Sequence, residues 1–219
     1  MKKFTSVSAI AIIAFTFFAC GNKKEKTPAD QVTDLIEEVE KIPETKTNAS
    51  KKMFNIESGF VKYNNKAAGQ EMTREWWFDK YGERQYEENY MKIMDNKVGG
   101  MSLIADGYKY NWDYNSTEGT RMKYYAAPAT DYEDISKEDI ERYGIEKLGY
   151  EEIAGKRCLK VSTQKPMKAT LWIWEGIPVK TVSSFGGNEV VMEAIEIKTG
   201  NVGTVNFEVP ESITFSDYQ

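Results

Sequence analysis

From Met53 onward the apolar side chains recur with a period of two, and turn residues break the runs at the spacing of an antiparallel sheet. No other feature constrains the fold as much, because a period of two sends alternate residues to opposite faces of a strand and does not match a helix. The pattern predicts strands at Phe54 to Tyr63, Met72 to Tyr81, Gln85 to Met94, Gly100 to Ala105, Tyr108 to Tyr114 and Thr120 to Tyr125. A second group follows at Arg157 to Thr163, Lys168 to Trp174, Pro178 to Phe185 and Val190 to Lys198, with a final edge near Val205 to Val209. Turns are expected at Asn64-Asn65, Tyr81-Gly82, Asn96 to Gly99, Asp106-Gly107 and Asn115 to Gly119. Asp106-Gly107 is the sharpest, since Asp-Gly supports positive φ at both central residues of a two-residue hairpin. Between the two groups, the polar stretch Asp131 to Arg142 predicts a short helix capped by Ser136, with Glu138 and Asp139 near its start.

Two segments break the alternation. Trp76-Trp77-Phe78 and Leu171-Trp172-Ile173-Trp174 place large apolar side chains on both faces of their strands, so both faces need cover. A helix upstream offers some of it. Thr27-Pro28 supplies an N-cap and a proline at the first helical position, and Asp30 a negative charge in the first turn. Val32, Leu35, Ile36, Val39 and Ile42 then recur at helical spacing up to Pro43. The other possible cover is a molecule that is not part of the chain.

The start of the chain carries a different kind of signal. Met1-Lys2-Lys3 is a positive n-region, Ala9 to Phe18 is apolar apart from Thr16, and Ala19-Cys20-Gly21 closes the run with small residues. The apolar stretch is about half of the roughly 20 residues that a membrane-spanning helix needs. The box Phe17-Phe18-Ala19-Cys20-Gly21 resembles the processing signal of bacterial lipoproteins, with Phe17 where that pattern prefers Leu. The resemblance implies removal of residues 1–19, diacylglycerol on the Cys20 thiol, and usually a further acyl chain such as palmitate on the freed amine. Two or three acyl chains hold a protein durably at a membrane, where one holds it marginally. Residues 20–26 then read as the lipidated cysteine and a polar tether, and 27–219 as a single domain.

Without the leader the chain has 27 basic residues against 34 acidic ones, a net charge of −7. That balance argues against nucleic acid, whose phosphates need clustered Lys and Arg, and against broad electrostatic docking on anionic lipid. With Cys20 acylated, Cys158 has no partner for a disulfide, and stability has to come from burial.

The sequence also argues against catalysis. It contains no histidine, which removes the commonest general base, the usual serine-triad partner and the commonest zinc ligand. Cys158 lies mid-strand between Arg157 and Leu159 and reads as a small buried residue, with no imidazole to activate it. The acidic groups at Asp131, Glu133 and Asp134, at Glu138, Asp139 and Glu141, and at Glu151-Glu152 lack calcium-loop spacing. Glu87-Glu88 alone does not make a glycosidase pair. No catalytic residue, metal or cofactor is expected.

An N-terminal amphipathic helix precedes the strands, which carry Gly155-Lys156-Arg157-Cys158, Leu171-Trp172-Ile173-Trp174-Glu175-Gly176-Ile177-Pro178 and Phe207-Glu208-Val209-Pro210. Together these resemble the LolA/LolB-like lipoprotein carriers and acceptors, over roughly residues 53 to 215. The resemblance implies a mainly β, α+β domain: a curved antiparallel sheet forming an unclosed half-barrel around the N-terminal helix, its concave side apolar. Gly21 rather than Asp after Cys20 resembles an outer-membrane sorting signal, which implies a protein anchored in the outer membrane and facing the periplasm or, alternatively, the cell surface. Within that frame Trp76, Phe78, Trp112, Leu171 and Ile173 are candidate lining residues for an acyl chain or other hydrophobic ligand, with Leu35 and Val39 on the lid. The alternative is an interaction scaffold presenting Tyr108, Tyr110, Tyr114, Tyr124 and Tyr125 to an envelope protein.

Overall fold

The computed structural model describes residues 52–126, 130–201, 203 and 205–218. Six strands form a first meander: β1 (Gly59–Ala67), β2 (Gln70–Asp79), β3 (Arg84–Ile93), β4 (Asn96–Ala105), β5 (Tyr108–Asp113) and β6 (Glu118–Lys123). A short helix, α1 (Lys137–Tyr143), leads to a second: β7 (Glu146–Ile153), β8 (Lys156–Thr163), β9 (Ala169–Trp174), β10 (Ile177–Phe185) and β11 (Asn188–Thr199). The chain ends in β12 (Thr214–Asp217). Antiparallel pairing of β1 with β11 joins the meanders into one curved, unclosed sheet of order β12-β6-β5-β4-β3-β2-β1-β11-β10-β9-β8-β7. The predicted packing around a helix at Val32 to Ile42 lies outside the described residues, as do Cys20, Leu35 and Val39.

Local sequence explains much of this. Asp106 and Gly107 take φ of +52° and +78°, the pair of positive angles expected of the two-residue hairpin. Ser136 caps α1 by accepting from the Asp139 N–H at 3.0 Å, and Gly144 in the left-handed region closes the helix.

Elsewhere tertiary pairing overrides the local signal. β1 runs straight through Asn64-Asn65 and turns at Ala68-Gly69, because as a central strand it satisfies its backbone groups against β2 and β11 together. The expected turn at Asn96 to Gly99 falls earlier, after Ile93, and Asn96 already belongs to β4. Phe54 does not begin a strand. Met53 and Phe54 donate to the Tyr81 carbonyl at 2.9 and 3.2 Å, and Asn55 to that of Glu175 at 3.0 Å, which lays the Phe54 ring against Trp76 and Phe78.

Two strands carry no clear sequence pattern. β7 is an exposed edge on which Ile153 alone is buried, so nothing imposes alternation. β12 is four residues long and pairs parallel with β6, so the sheet is not purely antiparallel. The predicted edge at Val205 to Val209 is not a strand.

Three apolar clusters hold the domain. The largest brings Val61, Tyr63, Trp76 and Phe78 of the first meander against Cys158, Trp172, Ile177 and Val179 of the second, under Phe54. Val61, Cys158, Ile177 and Val179 have no exposed surface at all. A second cluster gathers Leu103, Ala105 and Tyr110, and a third gathers Leu159, Val161 and Ile173 against Tyr132 and Ile145.

Candidate functional site

The pleat of β2 separates Trp77 from its neighbours. Trp76 and Phe78 enter the largest cluster, while Trp77 turns to the opposite face and meets Phe60 at 4.9 Å and Tyr86 at 5.7 Å between ring centroids. Register carries that row across the sheet. Trp77 pairs with Tyr86, Met101 with Trp112, and Trp112 with Gly119. Tyr86 then lies 6.2 Å from Trp112, and Trp112 lies 5.8 Å from Phe215 of β12. The result is a row of aromatic rings from β1 to β12 along one face.

Gly119 makes the last step possible. A Cβ there would stand 2.6 Å from the Phe215 ring and 2.7 Å from the Asn111 carbonyl oxygen, so only glycine lets Phe215 lie over β6.

Among the described residues, one segment crosses this face. β11 and β12 are seven strand positions apart, about 34 Å at about 4.8 Å per strand. The 200–213 connection between them can reach about 46 Å when fully extended, enough to span that width. It alternates from Val205 to Val209: Val205, Phe207 and Val209 are partly buried, whereas Asn206 and Glu208 are exposed. Phe207 and Val209 pack on the second cluster, and the Arg84 guanidinium lies 5.1 Å from the Phe207 ring. This explains the expectation of a strand at Val205 to Val209: alternation reports one buried side, which a strap packed by side chains shares with a strand in a ladder.

The strap leaves a cleft on each side. The smaller, about 390 Å³, is bounded by Trp77, Phe78, Lys80, Arg84, Val205 and Phe207 among others. The larger, about 620 Å³, is walled by Tyr86, Met101 and Trp112 from the sheet and by Val205, Val209 and Pro210 from the strap. Glu88, Asn206, Glu208 and Glu211 supply its polar groups.

Glu88 is held firmly. It accepts from Lys97 at 2.6 Å, Tyr114 at 2.7 Å and Tyr86 at 3.3 Å. Lys97 also stands 3.8 Å from Glu75, which accepts from Tyr90 at 3.2 Å and pairs with Lys62 at 2.8 Å. Burial works against the Glu88 carboxylate, but the hydrogen bonds from Lys97 and Tyr114 outweigh it and hold the carboxyl below its ordinary range. Burial and then the bond to Glu88 push the Tyr114 phenol up.

The described lining candidates do not share one surface. Trp76 and Phe78 sit in the largest cluster, where the indole N–H of Trp76 donates to Gln85 at 3.1 Å, though Phe78 also borders the smaller cleft. Leu171 and Ile173 belong to the third cluster, beneath Tyr132 and Ile145. Trp112 alone of the five borders the larger cleft. Tyr86, Met101, Val205 and Val209 were not anticipated as lining. The available signal was Trp77, which is out of phase with Trp76 and Phe78 and so marks the face opposite theirs. Among the described residues no group of His, Cys, Asp or Glu could hold a metal ion. Cys158 is buried and burial pushes its thiol up, the reverse of what a nucleophile needs.

No family model matches the chain, and no curated protein does. It is similar in structure to an uncharacterized conserved protein from Thermus thermophilus, at 11% identity and a TM-score of 0.52 over 77% of this chain and 94% of that one. It is also similar to the MucA/MucB complex structure of Pseudomonas aeruginosa, at 12% identity and a TM-score of 0.48 over 75% of this chain and 60% of that one. LprF from Mycobacterium bovis matches at 14% identity and a TM-score of 0.36, over 76% of this chain and 94% of that one. The likeness to the Thermus protein is one of fold.

Proposed function

We propose that this protein is a non-catalytic lipoprotein of the bacterial cell envelope, anchored through Cys20, that holds a hydrophobic ligand on the aromatic face of a LolA/LolB-like sheet. The observation that carries the reading is the 620 Å³ cleft between Trp112, Tyr86 and the strap. Its volume lies within the roughly 300–1,000 Å³ of small-molecule sites, and its walls combine aromatic rings with a few fixed polar groups. An acyl chain laid along Trp112, Met101 and Val209 would gain about 25 cal/mol for each Å² of apolar surface removed from water. Met101 adds an adaptable wall. The set of lining residues expected from sequence narrows to Trp112, joined by Tyr86, Met101, Val205 and Val209.

The test is mass spectrometry of lipids that co-purify with the full chain, before and after Trp112→Lys. A stoichiometric acyl-chain species lost from the variant, with an unchanged unfolding curve, supports the reading. A stable protein without ligand would sink it and favour the second reading, an envelope interaction scaffold. One observation speaks for that alternative: among the described residues the outer edge of β7 is unpaired, with Leu148 and Tyr150 46% and 51% exposed. The tyrosines that the sequence offers for it differ in their surroundings. Tyr110 is buried, Tyr114 is bound to Glu88, and Tyr125 is exposed.

A further inference from the structure

We infer that the larger cleft selects an amphiphile with a cationic head, an alkylammonium in chemical class, over neutral or anionic ones; this rests on the hydrophobic-ligand reading above. The two clefts share Val205 but differ in charge. The smaller is bordered by Lys80 and Arg84 as well as by Glu57 and Asp79. The larger is bordered by Glu88, Glu208 and Glu211 and, among the described residues, by no Lys or Arg.

These carboxylates do not play equal parts. Glu88 is already committed to Lys97, Tyr114 and Tyr86, so its charge is largely answered from within the sheet. Glu208 has the uncharged amide of Asn206 as its partner at 3.0 Å, and Glu211 is exposed. Both border the cleft together with Tyr86 and Trp112, two tilted rings whose centroids are 6.2 Å apart and whose planes meet at 50°. A ring face attracts a cation through its quadrupole, and an ammonium placed there can meet the rim carboxylates at the same time. An anionic head would face the like charge of Glu208 and Glu211. The tail then runs along Trp112 and Tyr86 toward Val205, where the second cleft begins.

The experiment is photo-crosslinking of the full chain in membranes of its expression host. Three alkyl-diazirine probes of equal tail length carry trimethylammonium, sulfate or oligoethylene glycol heads, and sites are mapped by peptide mass spectrometry. The expected result is labelling at the peptides holding Trp112 and Val205 to Glu211, with the cationic probe favoured about tenfold over the sulfate. In Glu208→Gln/Glu211→Gln that ratio falls about fivefold or more in the same membranes, while labelling by the neutral probe is unchanged. Equal labelling by all three probes, or a preference that survives the double substitution, overturns the charge selection and leaves the hydrophobic site standing. Labelling at neither peptide by any probe removes both.

Discussion

The two faces of β2 are built from similar side chains and are covered differently. On one, Trp76 and Phe78 meet Phe54, Val61 and the strands of the second meander, and the cluster has members with no solvent exposure. On the other, Trp77 and the rings that continue its row are crossed, among the described residues, by one strap with a cleft on each side. Cover from several elements at once gives interior packing. Cover from one extended segment cannot fill the width of a sheet, and what it leaves is room for a ligand.

The strongest way to break this comparison is to cut into the sealed side. Trp76→Ala is expected to cost about 3–5 kcal/mol in denaturant unfolding, the range for truncating a large core aromatic. A loss near 1 kcal/mol would mean that this cluster is as loosely covered as the other face. Phe207→Ala on the strap is expected to cost less, about 1–2 kcal/mol, because the side chain is only partly buried. The same substitution should join the two clefts and raise binding of a hydrophobic dye, whereas a loss as large as that of Trp76→Ala would make the strap part of the core.

The smallest effect concerns charge. The Glu88 carboxyl lies below its ordinary value of 4.5 in the folded chain, so the unfolded chain takes up its proton more readily. Its contribution is therefore complete above the ordinary carboxylate range and is lost as pH falls from about 4.5 through the lower folded value. Glu88→Gln is expected to cost about 1 kcal/mol at neutral pH and to flatten the acid slope of stability. An acid slope identical to that of the parent would show that the bonds from Lys97 and Tyr114 do not stabilise the carboxylate.

Much of the architecture was legible in the chain. Most of the strands fall near their predicted positions, because a half-buried strand writes its pleat into the sequence. β7 does not, since an exposed edge buries too little to require alternation. The strap misled for the converse reason, as Val205, Phe207 and Val209 alternate against a surface without joining its ladder. The lining set mixed Trp76 and Phe78 with Trp112 and with Leu171 and Ile173, because each looks equally apolar in one dimension.

By itself the sequence determined the β class, the Asp106-Gly107 hairpin, the Ser136 cap and the absence of imidazole chemistry, since each follows from residue type and near neighbours. Only the tertiary structure decided which face of the sheet was sealed and which was left with clefts. That choice depends on Phe54, Phe207 and Phe215, which reach the faces through backbone paths that no local period encodes.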